Sequence, residues 1–184
     1  MSTAQTSTET AALPAGVWTR DPIHSSLEFS VKHMVVARFR SSLPDFDSTL
    51  TVDDRGAVLE GVGRVASVVT PDPNLTGHLQ SPDFFDAELH PEVRFRSTEI
   101  VRRGDEIRVV GELSLKGHTG TIELRGSLFG PVVGLGDAER IGLDLTGTFD
   151  RTEYGLNWNA PLPNGGFAVG DEVTIGAHLE YVRG

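Results

Sequence analysis

The chain has 184 residues, few enough for one domain and enough to bury a sizeable core. Acidic residues outnumber basic ones 26 to 16, for a net charge of -10, and no stripe of Lys and Arg interrupts that excess, which argues against nucleic acid as a partner. With no cysteine there is no disulfide framework and no thiolate metal site.

The opening residues, MSTAQTSTETAA, are polar and lack the basic start and apolar core of a secretory signal, so residues 1–15 read as a disordered tail ahead of one domain over 16–184. No apolar run reaches the ~18 to 20 residues that would span a bilayer. A soluble, cytoplasmic protein is the expectation.

From Gly16 onward the dominant period is two. Ile23, Ser25, Leu27, Phe29, Val31 and His33 oppose His24, Ser26, Glu28, Ser30 and Lys32. Phe46 to Val52, Val58 to Val69 and Val93 to Val101 are less regular strands. Ile107 to Leu115, Ile122 to Leu128, Ile141 to Phe149 and Val173 to Tyr181 alternate cleanly, which brings the count to about eight strands. Short glycine-containing turns join several of them, at Asp53 to Gly56, Arg102 to Asp105 and Lys116 to Gly120. Such a meander most simply closes into an all-β, eight-stranded antiparallel barrel, since closure removes exposed edges. A two-sheet sandwich is the alternative. The one helical stretch falls between Pro71 and Asp86, where Asp72 or Asn74 could cap a short insertion carrying Leu75, Leu79, Phe84 and Phe85. Pro161 to Gly170 reads as a loop.

Little in this pattern points to catalysis. His24 and His33 are an odd number apart, so an unbroken strand sends them to opposite faces, and no other histidines have metal-ligand spacing; no metal is expected. Asp83 and Asp86 could share a helix face and do acid/base work, but carboxylates in a helix-to-strand connection more simply cap amides or face water. There is no G-x-S-x-G elbow. His33 alone among titratable residues falls on the apolar parity, as a core histidine or as a ligand contact. Gly111, Gly126, Gly147 and Ala177 also fall on the inward face. Their missing side chains either leave space in the lumen or let the strands bend. If they leave space, the lumen is a long apolar cavity, in which each buried CH2 of a ligand contributes roughly 0.8 kcal/mol.

Four stretches, WTRDPIHSSLEFSVKHM (18–34), HLQSPDFFDAELHPEVRFRST (78–98), GELSLKGHTGTIEL (111–124) and FDRTEYGLNWN (149–159), resemble in order and spacing the pattern of the YceI family. The resemblance runs from about Gly16 to Arg183 and departs from the family at Arg40-Ser41-Ser42-Leu43 and at Thr76-Gly77. It implies a lipocalin-like barrel with a helical insertion, whose lumen carries a polyisoprenoid or similar long-chain amphiphile. On that architecture the lumen is lined by Phe29, Val31, Phe95, Leu113 and Leu115, by Leu124, Leu143 and Phe149, and by Phe84 and Phe85 of the insertion. Parity adds His33, Gly111 and Gly126. The expected function is binding of an isoprenoid lipid for transport, storage or quinone metabolism, with no cofactor and no turnover. An enzyme using His33 or the two aspartates in the same lumen is the alternative. A module binding protein on its outer face is disfavoured by the polar outward residues, and a homodimer is left open.

Overall fold

A computed structural model describes residues 12–184 of the chain. Ten strands carry the fold: β1 (Gly16–Arg20), β2 (Ser26–His33), β3 (Ala37–Ser42), β4 (Phe46–Asp53), β5 (Gly56–Arg64), β6 (Glu92–Arg103), β7 (Glu106–Leu115), β8 (His118–Val133), β9 (Glu139–Asp150) and β10 (Val169–Arg183). One α-helix, α1 (Pro73–Gln80), lies in the connection between β5 and β6. All strand pairings are antiparallel, in the order β1-β4-β5-β6-β7-β8-β9-β10, and β1 pairs again with β10, closing an eight-stranded barrel.

The barrel is closed along only part of its length. The last residues of β10 meet β1, with Tyr181 opposite Arg20 and Arg183 opposite Trp18. Its earlier residues, Val173 to His178, meet Val31 to Ser26 of β2 instead, and β3 extends the sheet beyond β2. At that end the wall is split between β3 and the segment around α1, with a single bridge from Ser42 to Val69. We call the two ends closed and split.

Local chemistry explains most boundaries. Asp72 caps α1, accepting hydrogen bonds from the amides of Asn74 (2.7 Å) and Leu75 (3.0 Å), and Pro73 takes the first turn, where its missing N–H costs nothing. The β7–β8 hairpin turns through Lys116 and Gly117, both at positive φ, as tight hairpins require.

The eight-stranded barrel and the short helical insertion agree with the expectation; two strands do not appear in it. Ile23 was expected to begin the first strand. It is 82% exposed, because the Asp21 carboxylate accepts from the amides of Ile23 (2.8 Å) and His24 (3.2 Å) and folds a turn that separates β1 from β2. The other is β3, whose sequence ARFRSS carries one half-buried apolar side chain, Phe39. The stretch Val58 to Val69 is strand only to Arg64, after which Val65–Ser67 form a 3-10 turn. Residues 12–15, expected within the tail, run along the barrel, where the Pro14 carbonyl accepts from the Trp18 indole at 2.9 Å; residues 1–11 lie outside the described region.

Candidate functional site

Inward side chains divide the interior into two zones. At the closed end Trp18, Leu50, Val109, Leu128, Ile141 and Tyr181 are at most 1% exposed. The Tyr181 hydroxyl lies 2.6 Å from Ser48 Oγ, which donates to the Glu60 carbonyl at 2.9 Å. Burial pushes the Tyr181 phenol far above its ordinary pKa, so it is neutral at any physiological pH.

Beyond that packed layer, toward the split end, lies an apolar cavity of about 170 Å³. Of the residues expected to line a lumen, Phe29, Val31, Phe95, Leu113, Leu115 and Leu124 do so, as do Phe149, Phe84 and Phe85. Phe84 and Phe85 lie past the end of α1 in a series of turns, each 8% exposed. Phe85 sets its ring edge-on to Phe29 at 5.9 Å, bringing the insertion against β2. Phe84 packs on Trp158 at 5.4 Å and on the His78 ring at 4.9 Å.

Four expected residues do not line this cavity. His33 has inward parity but stands at the last position of β2, beyond the cavity, and is exposed. Leu143 is inward and 2% exposed, but it sits in the packed layer between Leu128 and Leu179. Gly111 leaves no void, since a Cβ there would lie 2.5 Å from both the Arg96 carbonyl oxygen and Phe95 Cζ; backbone and the Phe95 ring fill the space. Gly126 is a close backbone approach, its would-be Cβ 1.7 Å from the Asp144 carbonyl oxygen, and Gly147 likewise meets the Glu123 carbonyl at 2.5 Å. The inward glycines of β8 and β9 therefore let strands approach, while Ala177 does line the cavity.

Several lining residues were not anticipated. Gly61 and Gly63 of β5 face the cavity, and a Cβ at Gly61 would meet nothing nearer than 3.8 Å. The sequence signal was present in the Gly61-Val-Gly63 alternation. Leu43, Phe46 and Leu156 also contribute. Arg151 was missed as well, and it is only 3% exposed. Its Nε donates to the Gly170 carbonyl (2.8 Å), Nη1 to the carbonyls of Leu156 and Trp158, and Nη2 reaches Asp171 at 3.2 Å. Desolvation lowers its pKa, and this ring of acceptors compensates the buried charge. Arg151 thereby holds the 156–158 segment, whose Leu156 lines the cavity and whose Trp158 backs Phe84.

Carboxylates and histidines gather elsewhere. Asp83 faces water and lies 3.2 Å from His78 Nε2, and the Asp86 carbonyl accepts from the His90 amide at 2.8 Å, so neither aspartate lines the cavity. Among the described residues, Asp21, His24 and Glu180 come close enough to share an ion. The Arg140 guanidinium already bridges that group, 2.8 Å from Asp21 and 2.5 Å from Glu180.

Residues 18–181 match the model of the YceI-like domain. The chain belongs to the YceI-like family. A UPF0312 protein of Staphylococcus aureus (strain bovine RF122 / ET3-1) is 31% identical over 171 residues, covering 89% of this chain and 96% of that protein. Among solved structures, BcnA of Burkholderia cenocepacia superposes with a TM-score of 0.73 at 21% identity, over 88% of this chain and 98% of that one. A polyisoprenoid binding domain from Saccharophagus degradans, implicated in plant cell wall breakdown, gives a TM-score of 0.64 at 13% identity over 93% of this YceI-like chain and 100% of its own. At those identities the likeness is one of fold.

Proposed function

We propose that this YceI-like protein binds a long apolar lipid chain of the polyisoprenoid class in its cavity and carries or stores it without chemical turnover. The observation that carries the reading is the apolar cavity between the packed closed end and the aromatic residues of the insertion. An apolar ligand gains from every CH2 it buries there. The Saccharophagus degradans neighbour, a polyisoprenoid binding domain of the same fold, supports the ligand class. Binding without turnover fits the two buried polar side chains in the wall, because Ser48 and Arg151 already have protein partners. His33, Asp83 and Asp86, the residues on which the enzymatic alternative rested, lie outside the cavity lining.

The test is native mass spectrometry of freshly purified protein, followed by organic extraction and rebinding of a fluorescent polyprenyl analogue. We expect one long-chain lipid per chain and saturable rebinding. Gly61→Leu, which projects a side chain into the cavity from a position with room for its Cβ, should abolish rebinding while thermal stability is kept. Full rebinding by a folded Gly61→Leu protein, or no lipid with the wild type, would falsify the reading.

A further inference from the structure

At the split end the β2–β3 hairpin turns through Met34, Val35 and Val36, which are 42%, 60% and 88% exposed. Two of them adopt the left-handed region, Met34 at φ 51 and Val35 at φ 65. For a β-branched residue that conformation is strained, and Asn or Gly is the usual solution in a tight hairpin. The chain therefore places an exposed valine where its backbone is least favourable. Opposite stands Phe167, 61% exposed, in the 161–168 loop; Val35 and Phe167 share the wall of a shallow second cavity, which also takes in Arg151 and Val169 from the edge of the main one. The exposed apolar tip thus adjoins the end of the proposed lipid cavity.

The hairpin and the loop facing it lack the acidic excess of the whole molecule. Residues 29–44 contain Lys32, Arg38 and Arg40 and no acidic residue, and residues 157–170 contain no charged residue, in a chain of net charge -10. Lys32, Arg38 and Arg40 form no ion pair among the described residues; Arg38 reaches only the hydroxyls of Ser30 and Thr174. The acidic groups at this end stand on other segments: Asp171 is paired with Arg151, Asp150 accepts from Thr152 and Asp83 meets His78, while Glu153, Glu172, Asp86 and Glu88 lie on the 151–154 turn, β10 and the insertion. Apolar side chains at a tip, flanked by unpaired cations, suit insertion into an anionic lipid surface.

We propose that the 34–36 hairpin tip, with Phe167, docks the protein on an anionic bilayer and sets the end of the cavity against the membrane. Docking stands on the tip itself; its use in lipid exchange rests on the function proposed above. The molecule supplies its own control. The β8–β9 hairpin at the closed end also exposes apolar residues, Leu135 being 97% exposed, but it adjoins Asp137 and Glu139 and lines neither of these two cavities.

The experiment is cosedimentation of the full chain with phosphatidylcholine vesicles, with and without phosphatidylglycerol, alongside solution binding of the polyprenyl analogue. Wild type should pellet with the anionic vesicles and be released by salt. Val36→Ser with Phe167→Ser should weaken partitioning at least about tenfold. Lys32→Gln and Arg38→Gln should each weaken it about fivefold on anionic vesicles alone. Leu135→Ser should pellet as wild type. Val35→Asn, which relieves the left-handed valine, should raise the melting temperature and still bind vesicles less well. Wild type that ignores anionic vesicles, tip and charge variants that pellet undiminished, or an equal loss from Leu135→Ser each overturn the proposal. Solution binding separates the two readings: wild type that binds the analogue but ignores anionic vesicles sinks docking alone, and wild type that pellets with them but binds no analogue sinks only the lipid cavity.

Discussion

At the closed end of the barrel β10 lays Tyr181 inward and pairs with β1, and Trp18, Leu128 and Ile141 fill what remains, whereas fewer than ten residues earlier the same strand lays Val173, Ile175 and Ala177 inward, pairs with β2, and borders a cavity. An eight-stranded ring has an interior just wide enough for side chains to fill. Where β2 and β3 join the sheet the wall is longer, and the inward residues of β10 become smaller. Space in this protein comes from a change of strand partner as much as from a change of side chain. One end is built for stability and the other tolerates a void, as a binding site must.

The largest effect should come from a position that serves neither zone but lets the wall close. Gly126→Ala would put a Cβ 1.7 Å from the Asp144 carbonyl, which is backbone and has no rotamer to yield. We expect a loss of more than about 4 kcal/mol, or no soluble protein, measured as the urea midpoint. If Gly126→Ala is as stable as wild type and binds lipid less well, the glycine belongs to the cavity after all. The two ends can then be set against each other directly. Trp18→Ala removes a side chain with no exposure and should cost about 3–5 kcal/mol with the affinity of the folded protein unchanged. Phe85→Ala should cost less, about 2–3 kcal/mol, because its ring already borders empty space and lacks partner atoms on one side, yet it should release the polyprenyl analogue faster. Equal effects of the two variants on release would erase the distinction between the ends.

That contrast marks where the sequence was legible. Period-two alternation reports which face of a strand is inward, and it pointed to Phe29, Phe95, Leu113 and Leu124, each of which lies mid-strand beside the cavity. Parity is silent about position along the barrel axis. His33 and Leu143 share the inward parity yet lie beyond the cavity and in the packed layer. Nor does a missing side chain reveal its cause: Gly111 makes room for Phe95 and the Arg96 carbonyl, Gly126 for backbone, and Gly61 leaves space. Arg151 and Trp158 were illegible for another reason. Their roles depend on carbonyls and rings brought together from the 156–158 segment, the start of β10 and the α1 insertion, so no local spacing encodes them.

Acid should act on the closed end first. Hydrogen bonds from Arg140, then from His24 and the Ile23 amide, hold the Asp21 carboxyl well below its ordinary value of 3.8. A depressed folded-state pKa means that this carboxylate stabilises the fold in full above the unfolded-state value and ceases to do so as pH falls through the folded one. Stability measured from pH 7 downward should therefore begin to lose the Asp21 contribution near pH 4, approaching the unfolded value of 3.8, and Asp21→Asn should flatten that part of the profile. An unchanged acid limb in the variant would mean that the Asp21–Arg140 pairing contributes nothing to the closed end.

The smallest effect is expected beside the split end, at the two carboxylates that flank the phenylalanines. Asp83 has a 56% exposed side chain whose contact is His78 Nε2 at 3.2 Å, an interaction solvent screens to a small value. Asp86 sits at φ 53, where its backbone amide donates to the Ser81 carbonyl and its carbonyl accepts from the His90 amide. Asparagine adopts that left-handed conformation as readily as aspartate, so Asp86→Asn keeps the turn. The double variant Asp83→Asn with Asp86→Asn should thus leave both stability and polyprenyl affinity within about 1 kcal/mol of wild type. Phe84 and Phe85, between them, reach the cavity while the aspartates do not, so the off-rate should respond to the rings and ignore the charges. A large acceleration of release in the aspartate variant, with its melting temperature unchanged, would show that charge at the surface of the insertion governs entry to the cavity and that the aromatic packing beneath it does not.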